Sequence, residues 1–248
     1  MPLFRNTFIP TLLLAFFSFS FASGHCDSTS SSAFILSPQI FWLDNGPLDA
    51  LIKKESTLQD RSFRLRQRSP VFMLGFGGIH DHGNGLRTGF SLHGGYKSFT
   101  SETYTGGTAR NPRDSVVMLR LIPAYGGFTF EKSYTAYDMT FSAGTMIGGG
   151  IFCLYRKFYD VEEAGAFSSA PDSVEDDDAM VARDWAFAPT FAFDFHAGVS
   201  YRLSPLLHLG IEAVALCFYS PEGYGYATGE FFTFNPGLRL RLCIGKSG

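Results

Sequence analysis

The stretch 184-DWAFAPTFAFDFHAGVSYR-202 sorts its side chains onto two sides with a period of two. Trp185, Phe187, Pro189, Phe191, Phe193, Phe195, Ala197, Val199 and Tyr201 fall on one side. Asp184, Ala186, Ala188, Thr190, Ala192, Asp194, His196, Gly198, Ser200 and Arg202 fall on the other. Strict alternation over this length is the pattern of a β-strand with two different surroundings. One side meets something strongly apolar, either a protein core or lipid.

Composition narrows the choice. The chain has 248 residues, with 27 Phe, 27 Gly, 16% aromatic and only 17% charged residues. An average soluble domain carries about 25% charged residues. A net charge of −3 gives no field for nucleic acid, so none is expected as a partner. The length suits a single all-β domain.

The N-terminus reads as an export signal. Arg5 precedes the apolar run 11-TLLLAFFSFSFA-22, and small residues place cleavage after Ala22 or Gly24. Residues 1–24 are therefore expected to be a signal peptide, and 25–248 a β-barrel domain with 44–70 as a long first loop or extension. Cys26 follows His25, where a lipidation site would carry a small residue. No later stretch reaches the ~18 apolar residues of a spanning helix, so any membrane crossing must use strands. Cys153, Cys217 and Cys243 have no zinc spacing. Cys217 and Cys243 fall at opposite ends of a predicted hairpin, so free thiols are expected.

Alternation recurs at 86–98, 134–147, 206–219 and 230–244. It is less clean at 71–79, at 115–130, where Met118 and Ile122 share a face with Arg120, and at 33–43. Short turns are expected at 80–85, where Asn84-Gly85 supplies positive φ, near 131–133 and near 203–205. Between them fall long connections at 44–70, 99–114, 158–183 and 220–229. Long and short connections alternate strictly. The spacing predicts eight antiparallel strands, with long loops on one side and both termini on the other. That is the plan of an up-and-down transmembrane β-barrel.

The less apolar side bears on the orientation. It is Gly, Ala, Ser and Thr with few charges, whereas a wet surface would be rich in Lys and Glu. The apolar side is therefore expected to face lipid, with small groups and paired charges filling a narrow interior. Trp185 and Tyr201 stand near the two ends of one strand, where interfacial aromatic belts are found. The interior is expected to carry Lys97 and a charge network of Arg87, Arg120, Asp138, Asp194, Arg202, Glu212, Arg239 and Arg241. Buried charges must pair, so a carboxylate–guanidinium ladder plugging the lumen is the expectation. A porin-like lumen using the same charges as a filter is the alternative.

The exported chain, its eight alternating strands over roughly 33–244 and its one-sided long loops resemble the small outer-membrane barrels of the OmpA/OmpX type. The resemblance is architectural and carries no motif. It implies a monomer in the cell outer membrane with surface-exposed loops. The chain departs from that group at its end, where Ile244 is followed by GKSG and not by a terminal aromatic.

No cofactor, metal or catalytic residue is expected. IGKSG lacks the first glycine of a P-loop, since position 240 is Leu, and GYGYATG (223–229) has the wrong spacing for a dinucleotide loop. His80 and His82 could share a metal only with a third ligand. The acidic run DSVEDDD (172–178) lacks the order of a calcium loop. Asp194, His196 and Ser200 share a strand face but spread too far for a triad without help from His93 or His208. The segment RSFRLRQR (61–68), preceded by a possible short helix at 47–56, could meet lipopolysaccharide phosphates. A structural or surface-contact role through the loops is the leading reading. A lipid-processing barrel enzyme and a soluble exported β-barrel or sandwich binding protein are the alternatives.

Overall fold

The computed structural model describes residues 31–54, 68–101, 104–108, 111–160, 184–221 and 230–245. In chain order these form β1 (Ser31–Asp44), α1 (Gly46–Lys54), β2 (Arg68–Asp81), β3 (Leu86–Thr100), β4 (Tyr104–Thr108), β5 (Asn111–Ala136), β6 (Met139–Asp160), β7 (Asp184–Ser204), β8 (Leu207–Ser220) and β9 (Phe231–Gly245). The expected signal peptide and the segment 61–67 lie outside the described residues.

Every pairing is antiparallel. β1 pairs with both β2 and β9, and β3 pairs with β5, so β1, β2, β3, β5, β6, β7, β8 and β9 close into an eight-stranded ring. The short β4 prolongs β3 along β5, with Thr100 opposite Met118 and Tyr104 opposite Ser115. Closure matters physically because it leaves the ring no open edge and satisfies its backbone polar groups within the protein.

Two expectations about connections change. The short turn placed near 131–133 lies instead at Tyr137–Asp138, between Ala136 and Met139. Tyr137 takes φ 57°, which a non-glycine side chain adopts rarely, so no Gly or Pro marked the turn. Residues 131–136 consequently belong to β5. The stretch 99–114, expected to be a loop, contains the β4–β5 hairpin. The turn after β2 behaves as read: Gly83 and Gly85 carry positive φ, and the Asp81 and Asn84 carboxyl and amide oxygens accept the Gly83 and Leu86 N–H groups.

Burial answers the question of orientation. Phe72, Phe128 and Phe191 are 70%, 60% and 55% exposed on the outside, while Asp194 and Glu131 are 0% and 2% exposed within. This inverts the pattern of a soluble domain, in which charged residues are almost never fully buried. The outer wall is an apolar band of Phe, Leu and Ile, the surface that a transmembrane barrel turns to hydrocarbon.

Glycine permits one close approach between neighbouring strands. Gly148 of β6 faces Gly127 of β5, and a Cβ on Gly148 would stand 1.9 Å from the Gly126 carbonyl oxygen. No side chain fits there, and the glycine-rich stretches 126–127 and 148–150 are paired at that point.

Candidate functional site within the barrel lumen

The interior divides along the barrel axis. Toward the short turns it is ionic. Glu131 of β5, Asp194 and His196 of β7, Glu212 of β8, and Arg239 and Arg241 of β9 all sit on inward parity and are buried. Arg241 donates Nη1 and Nη2 to the two oxygens of Glu131, at 2.5 and 2.7 Å. Its Nη1 also donates to Glu212 Oε1 at 2.7 Å. Arg239 donates to Glu212 Oε2 at 3.3 Å and to Asp194 Oδ2.

His196 closes the circle, with Nδ1 3.1 Å from Asp194 Oδ1 and Nε2 3.6 Å from Glu131 Oε1. Three carboxylates face two guanidiniums, so the ring balances when the imidazole carries both protons, one toward each carboxylate. Arg239 Nε also donates to Gln39 Oε1 at 3.0 Å, and Gln39 passes Nε2 to the Tyr125 hydroxyl at 2.7 Å. Tyr125 stacks on His93 with ring centroids 4.7 Å apart. Gly75 leaves the notch for that imidazole, since a Cβ there would stand 2.1 Å from His93 Nδ1.

Toward the long connections the interior is apolar. Phe41, Val71, Val117, Leu119, Leu121, Phe152, Leu216 and Phe218 form one buried cluster with Leu48, Leu51 and Ile52 of α1. The helix is thus a stopper. Pro47 occupies its first turn, where a missing N–H costs nothing. Leu48, Leu51 and Ile52, spaced i, i+3 and i+4, face the lumen. Asp49 and Lys53 pair on the exposed side at 2.6 Å. Asn45 anchors the start by donating to Ser69 Oγ at 2.8 Å, and Asn235 Oδ1 accepts the Asp44 N–H at 2.8 Å. Replacing Leu51 by Asp is expected to undock α1 while leaving the ring of strands intact. Hydrogen exchange would read this as loss of protection over 46–54 with β7–β9 unchanged; protection retained at α1 would contradict its role as a stopper.

The residues expected to line the lumen separate into two groups. Asp194, Glu212, Arg239 and Arg241 are in the ring, and Arg87 is buried near the short turns, its Nε 2.7 Å from Asp81 Oδ2. Arg120 is not inside. It shares the outward face of β5 with Met118 and Ile122, because 119 and 121 are the inward, buried positions. Asp138 and Arg202 do pair, at 3.0 Å, but both are half-exposed beside the short turns and outside the lumen. The displaced turn explains this, since Asp138 is a turn residue and not a strand residue. Glu131, His196, Gln39, Tyr125 and Asp81 complete the interior polar system without having been read as parts of it.

The chemical alternatives find little geometry. Ser200 Oγ lies 3.5 Å from the Thr140 carbonyl oxygen and makes no hydrogen bond to His196. His80 and His82 lie edge to face at 4.8 Å, with ring nitrogens 2.9 Å from the Ser32 and Thr88 hydroxyls respectively. Among the described residues no three His, Cys, Asp or Glu side chains cluster as a metal site. The runs 172–178 and 223–229 lie outside the described residues. Cys153, Cys217 and Cys243 are free thiols.

Lumen and wall together define the architecture. The fold is an eight-stranded transmembrane β-barrel. No family model and no curated protein matches the chain. Among solved structures it is similar to Ail, the attachment invasion locus protein of Yersinia pestis, in complex with the heparin analogue sucrose octasulfate. That match has 11% identity and a TM-score of 0.40, and covers 87% of this chain and 98% of Ail. It is also similar to Neisserial surface protein A, at 11% identity and TM-score 0.36, over 86% of this chain and 96% of that one. The outer membrane protease OmpT of Escherichia coli aligns at 9% identity and TM-score 0.32, over 90% and 98%. The fold assignment itself rests on the closed strand order and the inverted burial.

Proposed function

We propose that this chain is exported on a signal peptide spanning residues 1–24 and resides as a monomer in an outer membrane. There it serves as a rigid anchor that presents its long connections to partners outside the cell. The observation that carries this reading is the double blockage of the lumen. An ionic ring fills one half, and an apolar cluster stoppered by α1 fills the other. Eight strands leave room for side chains and little more, so transport through the middle is not the use of this fold. Function then falls to the surfaces at the loop end: 44–70, 99–114, 158–183 and 220–229. Lipopolysaccharide phosphates or a surface partner are the proposed contacts, with the Arg-rich segment 61–68 supplying guanidiniums for the former.

The mature chain, refolded into detergent micelles or phospholipid vesicles, should run at a different position on SDS gels before and after boiling. A protein that folds and stays soluble in detergent-free buffer would overturn the reading.

A further inference from the structure

The short-turn end of the barrel is lopsided. On the β6–β7 side it carries three large exposed side chains. Tyr137, in the turn between β5 and β6, is 98% exposed, and Leu203 and Leu206, flanking the tip of the turn between β7 and β8, are 54% and 57% exposed. On the opposite side of the ring, around β1 and β2, the same end is polar. Ser32 Oγ lies 2.9 Å from His80 Nδ1, and the turn that follows β2 exposes His82, Gly83 and Asn84. Lys132 reaches that turn and donates to the Asn84 carbonyl oxygen at 2.8 Å.

The apolar edge is held in place. The Arg202 N–H donates to the Asp138 carbonyl oxygen at 2.8 Å and Arg202 Nη2 to Asp138 Oδ1 at 3.0 Å, which locks the two turns together. The Gly245 N–H donates to the Leu206 carbonyl oxygen at 2.9 Å and ties the second turn to the end of β9. Tyr137 keeps φ 57°, a backbone that disfavours a residue with a Cβ, and so holds its ring outside.

Single exposed apolar residues need no explanation, but three on one pinned edge form a patch. The patch is continuous with the lipid-facing wall, because Met139 is opposite Tyr201 and Tyr201 is opposite Leu209. Tyr201 stands at the level where hydrocarbon gives way to headgroups. Side chains beyond it on the same edge reach the headgroup layer, where apolar and aromatic groups find partial cover. The polar edge gains nothing from that layer.

We infer that the barrel leans toward its β6–β7 side, so that Tyr137, Leu203 and Leu206 dock into the headgroup layer of the leaflet at the short-turn end while His82 stands in water. The inference rests on the membrane-barrel reading.

Trp42 and Trp185 are the two tryptophans of the chain, and Trp42→Phe/Trp185→Phe gives a background without tryptophan. Tyr137→Trp, Leu206→Trp or His82→Trp is added to it. Each barrel is reconstituted in lipid nanodiscs, which leave both faces open to solutes. Its emission is quenched either by phosphatidylcholine brominated near the headgroup end of its acyl chains or by acrylamide in the water. Emission at 137 and 206 should be shifted to the blue and quenched by bromine. Emission at 82 should be red, insensitive to bromine and strongly quenched by acrylamide. Adding Tyr137→Ser/Leu203→Ser to the Leu206→Trp reporter should move its emission to the red and remove the bromine quenching. Equal bromine quenching at 82, 137 and 206 would mean an upright barrel. Shielding of 137 and 206 from both quenchers would mean that protein, such as a second copy, covers the edge. Either result overturns the docking. If these samples keep heat-dependent gel mobility, the barrel reading stands without the lean; if none shows it, both fall.

Discussion

Replacing Arg241 by Met is expected to lower the unfolding free energy of the barrel by about 3–5 kcal/mol, the usual cost of removing one member of a buried ionic set. The residue lies at the junction of the ring, donating to both oxygens of Glu131 and to Glu212. Without it, Glu131 keeps only the imidazole of His196 at 3.6 Å, and its carboxylate stays buried. The penalty comes mostly from that stranded charge and less from the lost attraction. The double variant Glu131→Met/Arg241→Met is therefore expected to recover at least half of the loss, because Glu212 retains Arg239 and two apolar side chains fill the vacated space. Urea unfolding in micelles, followed by the heat-dependent gel shift, measures both. An Arg241→Met barrel as stable as the parent would mean that water fills the lumen and hydrates the carboxylates.

How far the sequence led is best seen residue by residue. β7 and β9 were legible because their two sides differ chemically along most of their length, as with Phe191, Phe193 and Phe195 against Ala192, Asp194 and His196. β5 was blurred for a physical reason. Its inward positions Val117, Leu119 and Leu121 join the apolar half of the lumen, while Met118 and Ile122 face outward, so both sides are apolar and the period fades. Alternation that dies out within a strand is thus the trace of an interior that changes from polar to apolar along its axis. The upper part of β8, with Val214, Leu216 and Phe218 inside and Ala213, Ala215 and Cys217 outside, repeats it.

Glu131 is not legible as an interior residue because it borders a sequence with the look of a turn. Lys132-Ser133 looks like a break, whereas Tyr137-Asp138 carries no glycine to advertise a left-handed backbone. Arg120 was misplaced although its neighbours Met118 and Ile122 already put it on the apolar face. On β5 the inward, buried positions are 117, 119 and 121, so the parity of Arg120 is outward. The ring of contacts around Arg239 and Arg241 brings together strands β1, β5, β7, β8 and β9. It depends on register across the closed barrel, which no single strand encodes.

Orientation has its own test, and the expected effect is large. Phe193 lies midway between Trp185 and Tyr201 on the outer face of β7, opposite Ile147 of β6 and Cys217 of β8. If that face meets hydrocarbon, Phe193→Arg places a guanidinium near the bilayer midplane, at a cost of about 2–4 kcal/mol. Leu209→Arg also faces outward but is opposite Tyr201 near the short turns, where the same cation costs about 0–1 kcal/mol. The difference between the two separates depth from simple loss of an apolar side chain, because both substitutions remove one. Unfolding in phospholipid vesicles should therefore rank parent and Leu209→Arg close together, with Phe193→Arg well below. In water the ranking would collapse, since an arginine on an exposed strand face costs within about 0.5 kcal/mol wherever it sits. Equal and small effects at both positions would place solvent outside the wall, and the charges within would then lack any reason to be buried.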